Sequence, residues 1–163
     1  MAECVSFFPN FNGEDIQGDS TQTSLGRENS VECLSFVDAV RTAREAGSGL
    51  ATGRRTFEPI TIRKRIDKSS PLFARALCNN EVVSGTFKFF RPSLAGDGTT
   101  EHFFTVEISG GRLSSIRRVS PDTIDPASAV EPPTEEISMV FHDITWTYET
   151  TGASHHDNWA EQS

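Results

Sequence analysis

The residues best suited to chemistry in this 163-residue chain are its four histidines, three cysteines and a few serines. His155-His156-Asp157 has the composition of a metal site. Adjacent side chains diverge, however, and no spacing fixes a third or fourth ligand, so no metal centre is expected. His142 beside Asp143 has the makings of a carboxylate-oriented base. It lies in a strand-like run where successive side chains face opposite ways, which favours a surface or bulge histidine. Ser69 and Ser70 fit a turn and a helix cap better than a nucleophile. Gly47–Gly53 (GSGLATG) lacks the lysine and following helix of a phosphate-binding loop, and no GxSxG or dinucleotide turn occurs. Cys4, Cys33 and Cys78 are odd in number and far apart, as expected of three reduced thiols. Trp146 and Trp159 can stack on ligands, though core packing is the usual fate of a residue placed like Trp146. No catalytic residue, cofactor or metal is therefore expected.

The length suits one domain, assigned to residues 1–150, with a mobile tail over 151–163 that excepts Trp159. The net charge is −8, which argues against general nucleic-acid binding. Residues 41–75 nevertheless hold nine Lys/Arg against three acids, a net of +6. The remainder holds six bases against twenty acids, a net of −14. A basic segment on an acidic body attracts other copies head to tail, or is only a solvated face. The N-terminus has no basic leader and its apolar run is broken by Pro9, so no secretory signal is read there. No apolar run approaches the length of a membrane span, so no membrane insertion is expected and the chain is placed in the cytoplasm on synthesis.

Most of the chain reads as β. Strands are expected at 4–11, 31–40, 56–66, 81–91, 101–109, 112–120 and 135–150, with turns at 96–98 and 110–111. Residues 12–30 read as a long loop, and 121–134, with four prolines, as another. In 31–40, Val31, Cys33, Ser35 and Val37 fall on one side, Leu34 and Phe36 on the other. Residues 41–55 are a flexible loop or the tip of an extended hairpin. Pro59 points to an edge or a bulge. In the last strand the apolar face switches near His142-Asp143. Either a bulge there turns a barrel corner, or both faces are buried, one against a neighbouring subunit. Ile144, Trp146 and Tyr148 are thus core or subunit-contact residues. The one clear helix starts after Asp67-Lys68-Ser69-Ser70-Pro71, with Ser70 as cap and Pro71 in the first turn. It places Leu72, Phe73, Ala76 and Leu77 on one face. Antiparallel strands with one short helix make a small mainly-β barrel or sandwich.

The order of these pieces resembles the haemolysin-coregulated protein (Hcp) family, the inner-tube proteins of the bacterial type VI secretion system. The resemblance covers nearly the whole chain. It is carried by ITIRKRIDKSSPLFARAL (60–77), IQGDST (16–21), VECLSF (31–36), the Gly/Ala-rich 42–53, ISMVFHDITWTYE (137–149), and Gly152, Asp157 and Trp159. Pro9 and the apparent insertion PNFNGED depart from the pattern and bear on the first strand's register. The resemblance implies a single-domain antiparallel β-barrel with the helix packed on its side and an extended loop. Six subunits would close into a ring, and rings would stack into a tube with a trimeric spike at its tip. A contractile sheath would propel it, and small effectors would travel in its lumen. Export would proceed without a signal peptide. The extended loop would reach a neighbouring ring, which makes Arg41, Arg44, Glu45, Arg54 and Arg55 candidate stacking residues, with Arg54 and Arg55 expected to matter more for stacking than for ring closure. A phage-like tail-tube protein would share this architecture, and a small ligand-carrying barrel is the remaining alternative.

Overall fold

The protein is described here as a computed structural model of residues 3–50, 52–53 and 55–159. Its strands are β1 (Cys4–Phe11), β2 (Glu14–Asp15), β3 (Val31–Arg41), β4 (Thr56–Arg65), β5 (Val83–Pro92), β6 (Thr100–Val119), β7 (Thr134–Val140), β8 (Asp143–Tyr148) and β9 (Ala153–Asn158). The helix α1 is Ser70–Cys78. All pairings are antiparallel. β1 pairs with β3, β3 with β4, β4 with β7, β7 with β6, β6 with β5, and β5 returns to β1. Six strands thus close a barrel, which removes the exposed edges an open sheet would leave. β8 and β9 extend the sheet outward from β6.

Alternation fills the interior. Phe7, Phe11, Ile60, Ile62, Phe87, Val106, Ile137 and Met139 are fully buried. Phe7 stacks on Phe87 at 4.0 Å between ring centres. α1 buries Phe73 and Ala76, and Leu72 and Leu77 are partly covered beside them. Phe73 meets Phe11 edge-on at 5.0 Å. A helix of nine residues is marginal alone in water; here this apolar seam holds it on the barrel.

Four local expectations need correction. Residues 110–111 do not turn the chain. β6 runs through them, its first half paired with β5 and β8 and its second half with β7. The strand bends there against the break between β7 and β8. A Cβ on Gly111 would lie 2.4 Å from the Val140 carbonyl oxygen, so only glycine allows that approach. The break shifts the alternation by one residue and brings Ile137, Met139 and Ile144 into one core, with Phe141 and Trp146 against it. This is the corner-turning alternative. β3 likewise carries a register shift between Cys33 and Ser35, so Phe36, not Ser35 or Val37, continues the inward face and packs on Phe87 and Phe89.

Residues 12–15 are not loop. Asn12 and Gly13 both have positive φ and close a two-residue hairpin between β1 and β2. β1 passes through Pro9 unbroken, because β3 pairs only with Val5–Phe7, upstream of the proline. Residues 153–158 of the expected mobile tail form β9, paired with β8 along its length.

Candidate functional site

The Asp67–Pro71 turn is the end-piece of β4 and is built around a buried charge. On β4 the inward residues are Ile60, Ile62 and then Lys64, which is fully buried. On β7 the inward residues are Met139, Ile137 and then Glu135, also fully buried and directly opposite Lys64. Lys64 Nζ lies 2.5 Å from Glu135 Oε1 and 3.0 Å from Asp67 Oδ1. It also donates to the Arg65 carbonyl at 3.0 Å and to Ser70 Oγ at 3.2 Å. Ser70 Oγ donates to Glu135 Oε1 at 2.7 Å and accepts from the Asp67 amide at 2.9 Å. Arg118 from β6 closes the other side, with Nε 2.8 Å from Glu135 Oε2. Burial alone would raise the Asp67 carboxyl. The hydrogen bonds from Ser69 and the Lys64 charge outweigh it and hold the group below its ordinary value.

Ser70 was expected to cap α1 from the side. Ser69 holds the N-cap position, and its hydroxyl turns back to Asp67 instead of capping the helix. The order Asp-Lys-Ser-Ser-Pro therefore anchors the helix start to β4 and β7 through Lys64 and Glu135. The 18–20 segment sits on the same turn. Asp19 N donates to Asp67 Oδ2 at 3.3 Å, and Lys68 N to Asp19 Oδ2 at 3.1 Å. A Cβ on Gly18 would come within 2.9 Å of Asp67 Oδ2 and 2.8 Å of the Ser30 carbonyl oxygen. The two most motif-like stretches of the sequence, IQGDST and IDKSSP, thus pack face to face.

The second cluster is at the C-terminal hairpin. The side chains of His155-His156-Asp157 go three ways. His155 stacks on Trp146 at 6.0 Å, His156 Nε2 reaches Asp143 at 3.3 Å, and Asp157 binds Arg55. Asn158 and His142 also bond Asp143, and the His142 and Asn158 contacts lower the Asp143 carboxyl below its ordinary range. Arg55 makes a two-pronged contact, Nε to Asp157 Oδ2 at 2.6 Å and Nη2 to Asp157 Oδ1 at 2.7 Å. That contact holds Asp157 low as well. Arg55 is therefore bound within its own chain, while Arg54 lies outside the described residues. Arg41 is 3.7 Å from Glu58 on an exposed surface, Arg44 donates to the Gly49 carbonyl at 3.4 Å, and Glu45 accepts from Ser48.

Ile144 is core. Trp146 packs against that core and donates to Asp38 Oδ2 at 3.0 Å, and Tyr148 accepts from Arg91 at 3.1 Å. Cys33 is buried, and burial pushes its thiol far up. The residues missed in the sequence are Lys64, Glu135 and Arg118.

Taken together, this is a closed antiparallel barrel whose buried polar groups lock its own strands and helix. Its interior is filled by side chains. Among the described residues no three His, Cys, Asp or Glu side chains are grouped to hold a metal ion. No described helix is long and apolar enough to cross a membrane. Comparison with known proteins agrees with that class and narrows it. Residues 8–148 match the family described as "Type VI secretion system effector, Hcp". The major exported protein of Pseudomonas aeruginosa is 33% identical over 147 residues, covering 90% of this chain and 83% of the relative. A crystal structure of an Hcp protein superposes with a TM-score of 0.84 at 23% identity over 97% of this chain and 98% of the other. Hcp1 from E. coli EAEC 042 does so with a TM-score of 0.82 at 24% identity over 97% and 99%. The chain belongs to the Hcp family of type VI secretion.

Proposed function

We propose that this protein is an inner-tube subunit of a type VI secretion system. Six copies close into a ring, rings stack into a tube, and the tube leaves the cell with its spike, driven by the sheath and carrying small effectors. The protein catalyses no reaction in this reading. The observation that carries it, beside membership of the family, is the arm of residues 42–53. Thr52 N bonds the Ala43 carbonyl and Glu45 N the Leu50 carbonyl, so the arm is ordered. Yet residues 43–50, 52 and 53 are all exposed. A hydrogen-bonded hairpin whose described residues are this exposed offers its surface to a neighbour. The packed barrel interior also weighs against a ligand carrier, since any channel must form between copies.

Light scattering on the purified protein, paired with negative-stain images, tests this. Six copies of a 17.9 kDa chain give a particle of about 107 kDa with a central hole. A monomer over a wide concentration range would sink the proposal.

A further inference from the structure

Arg27 is the largest side chain that the described residues bury completely. It comes from the segment between β2 and β3 and lies against the outer face of β1 and β5, where Cys4 and Phe90 stand opposite each other. Its Nε donates to the Ser24 carbonyl at 3.0 Å and its Nη2 to Ser24 Oγ at 2.6 Å. Its Nη1 donates to Cys4 Sγ at 3.2 Å. Its Cζ lies 4.4 Å from the centre of the Phe90 ring. Among the described residues it forms no ion pair. This is the opposite of Lys64, whose buried charge meets two carboxylates. Arginine keeps its charge when buried, and a buried charge is costly unless it is compensated. The Ser24 oxygens and the face of Phe90 offset part of that cost. Of the groups that touch the guanidinium, only the Cys4 sulfur can take a negative charge.

Cys4 is only half-buried. It lines a cavity of about 240 Å³ at the start of β1, with Cys33, Phe36, Phe89, Phe90 and Phe103. Glu3 lines it too, but is exposed. Water and salt screen that carboxylate, whereas the buried guanidinium acts on the sulfur unscreened. The other two thiols lack this setting. Cys33 is buried, and burial pushes its thiol far up. Cys78 is exposed and ends α1, where the helix dipole opposes a negative sulfur.

We propose that Cys4 is a thiol-modification site that forms a mixed disulfide with a small-molecule disulfide such as oxidised glutathione. The Cys4 sulfur, having given its proton to water, attacks one sulfur of the small disulfide. A new S–S bond forms and the old one breaks, and the other half leaves as a thiolate that takes up a proton. Cys4 is oxidised and the leaving half is reduced, so no other oxidant enters. Arg27 steadies the negative charge on the attacking sulfur, and the cavity admits the incoming group. The inference is independent of the tube reading.

The test is a time course with oxidised glutathione near neutral pH on the folded protein, with the adduct located by peptide mass mapping. Cys4 should gain the adduct about tenfold faster than Cys78, although Cys78 is the more exposed. Arg27→Lys should keep most of that advantage and Arg27→Met should abolish it. A Cys4 rate equal to or below that of Cys78 in the parent overturns the inference. So does an unchanged Cys4 rate in an Arg27→Met protein whose circular dichroism matches the parent. If Arg27→Met does not fold, the ratio of the Cys4 and Cys78 rates in the parent decides alone.

Discussion

Lys64 is the residue whose loss should cost most. It is fully buried, and its ammonium sits among Glu135, Asp67, Ser70 and the Arg65 carbonyl. Lys64→Met keeps much of the aliphatic length but leaves the Glu135 carboxylate buried, with only Arg118 to balance it. Removing one member of a buried pair costs about 3–5 kcal/mol, because the remaining charge stays desolvated. For a domain of this length, that is a fall of roughly 9–15 °C in Tm. Glu135→Met should cost less, because Lys64 keeps the Asp67 carboxylate at 3.0 Å while losing its fully buried partner. The informative variant is the double one. With both charges gone neither is stranded, so Lys64→Met/Glu135→Met should lose roughly 2 kcal/mol or more less than the two single losses added. Denaturant unfolding of the four proteins, followed by circular dichroism, measures this. Additive losses, or a Lys64→Met cost below about 1 kcal/mol, would refute the idea that the motif is held by a buried ion pair.

Asp67 titrates below its ordinary value when folded, so its contribution is present in full above about pH 4 and is lost as the pH falls through the folded value. Acid titration should therefore show destabilisation below that point that Asp67→Asn lacks; equal acid sensitivity in the two proteins would count against it. Gly111→Ala should lower stability by several kcal/mol, roughly 3 or more, since its Cβ would meet two backbone carbonyls; a thermal melt within a degree or two of the parent would contradict the bend as described. Cys33 should resist thiol reagents until the protein unfolds, whereas exposed Cys78 reacts at once; mass spectrometry after brief labelling decides. Arg55→Ala should speed amide exchange across Ala153–Asn158 while sparing β4 and β7; unchanged exchange there would show that the Asp157 contact does not hold the hairpin.

Much of the barrel was legible in the sequence because alternation is a strong signal where one face is buried. Ile60 and Ile62, and Ile137 and Met139, identify the inward faces of β4 and β7 correctly. The errors share a cause. Gly110-Gly111 was expected to turn the chain, since paired glycines usually do so. Here they allow two bending strands to touch. A shift of one residue in β3 reverses which side Ser35 and Phe36 face, and no local pattern announces such a bulge. β9 was missed because, after Ala153, the segment Ser154–Asn158 is entirely polar and shows no alternation; it is held by the β8 backbone and by Arg55, over a hundred residues away in sequence.

The buried pair was within reach of the same alternation that located the core. Carried one step further, the inward series on β4 runs Ile60, Ile62, Lys64, and on β7 Met139, Ile137, Glu135. A lysine and a glutamate ending two inward rows should pair if those strands are neighbours, because neither charge tolerates burial alone. The turn that follows Lys64 then explains itself. Asp67 adds a second carboxylate for Lys64, and Ser70 links Glu135 to the Asp67 amide. Pro71 begins the helix once that anchor is set. The stretch looked like a helix-capping signal, and it does start a helix. Its residue types, however, are dictated less by the helix than by a charge buried in the strand before it. That makes the motif a clamp between barrel and helix.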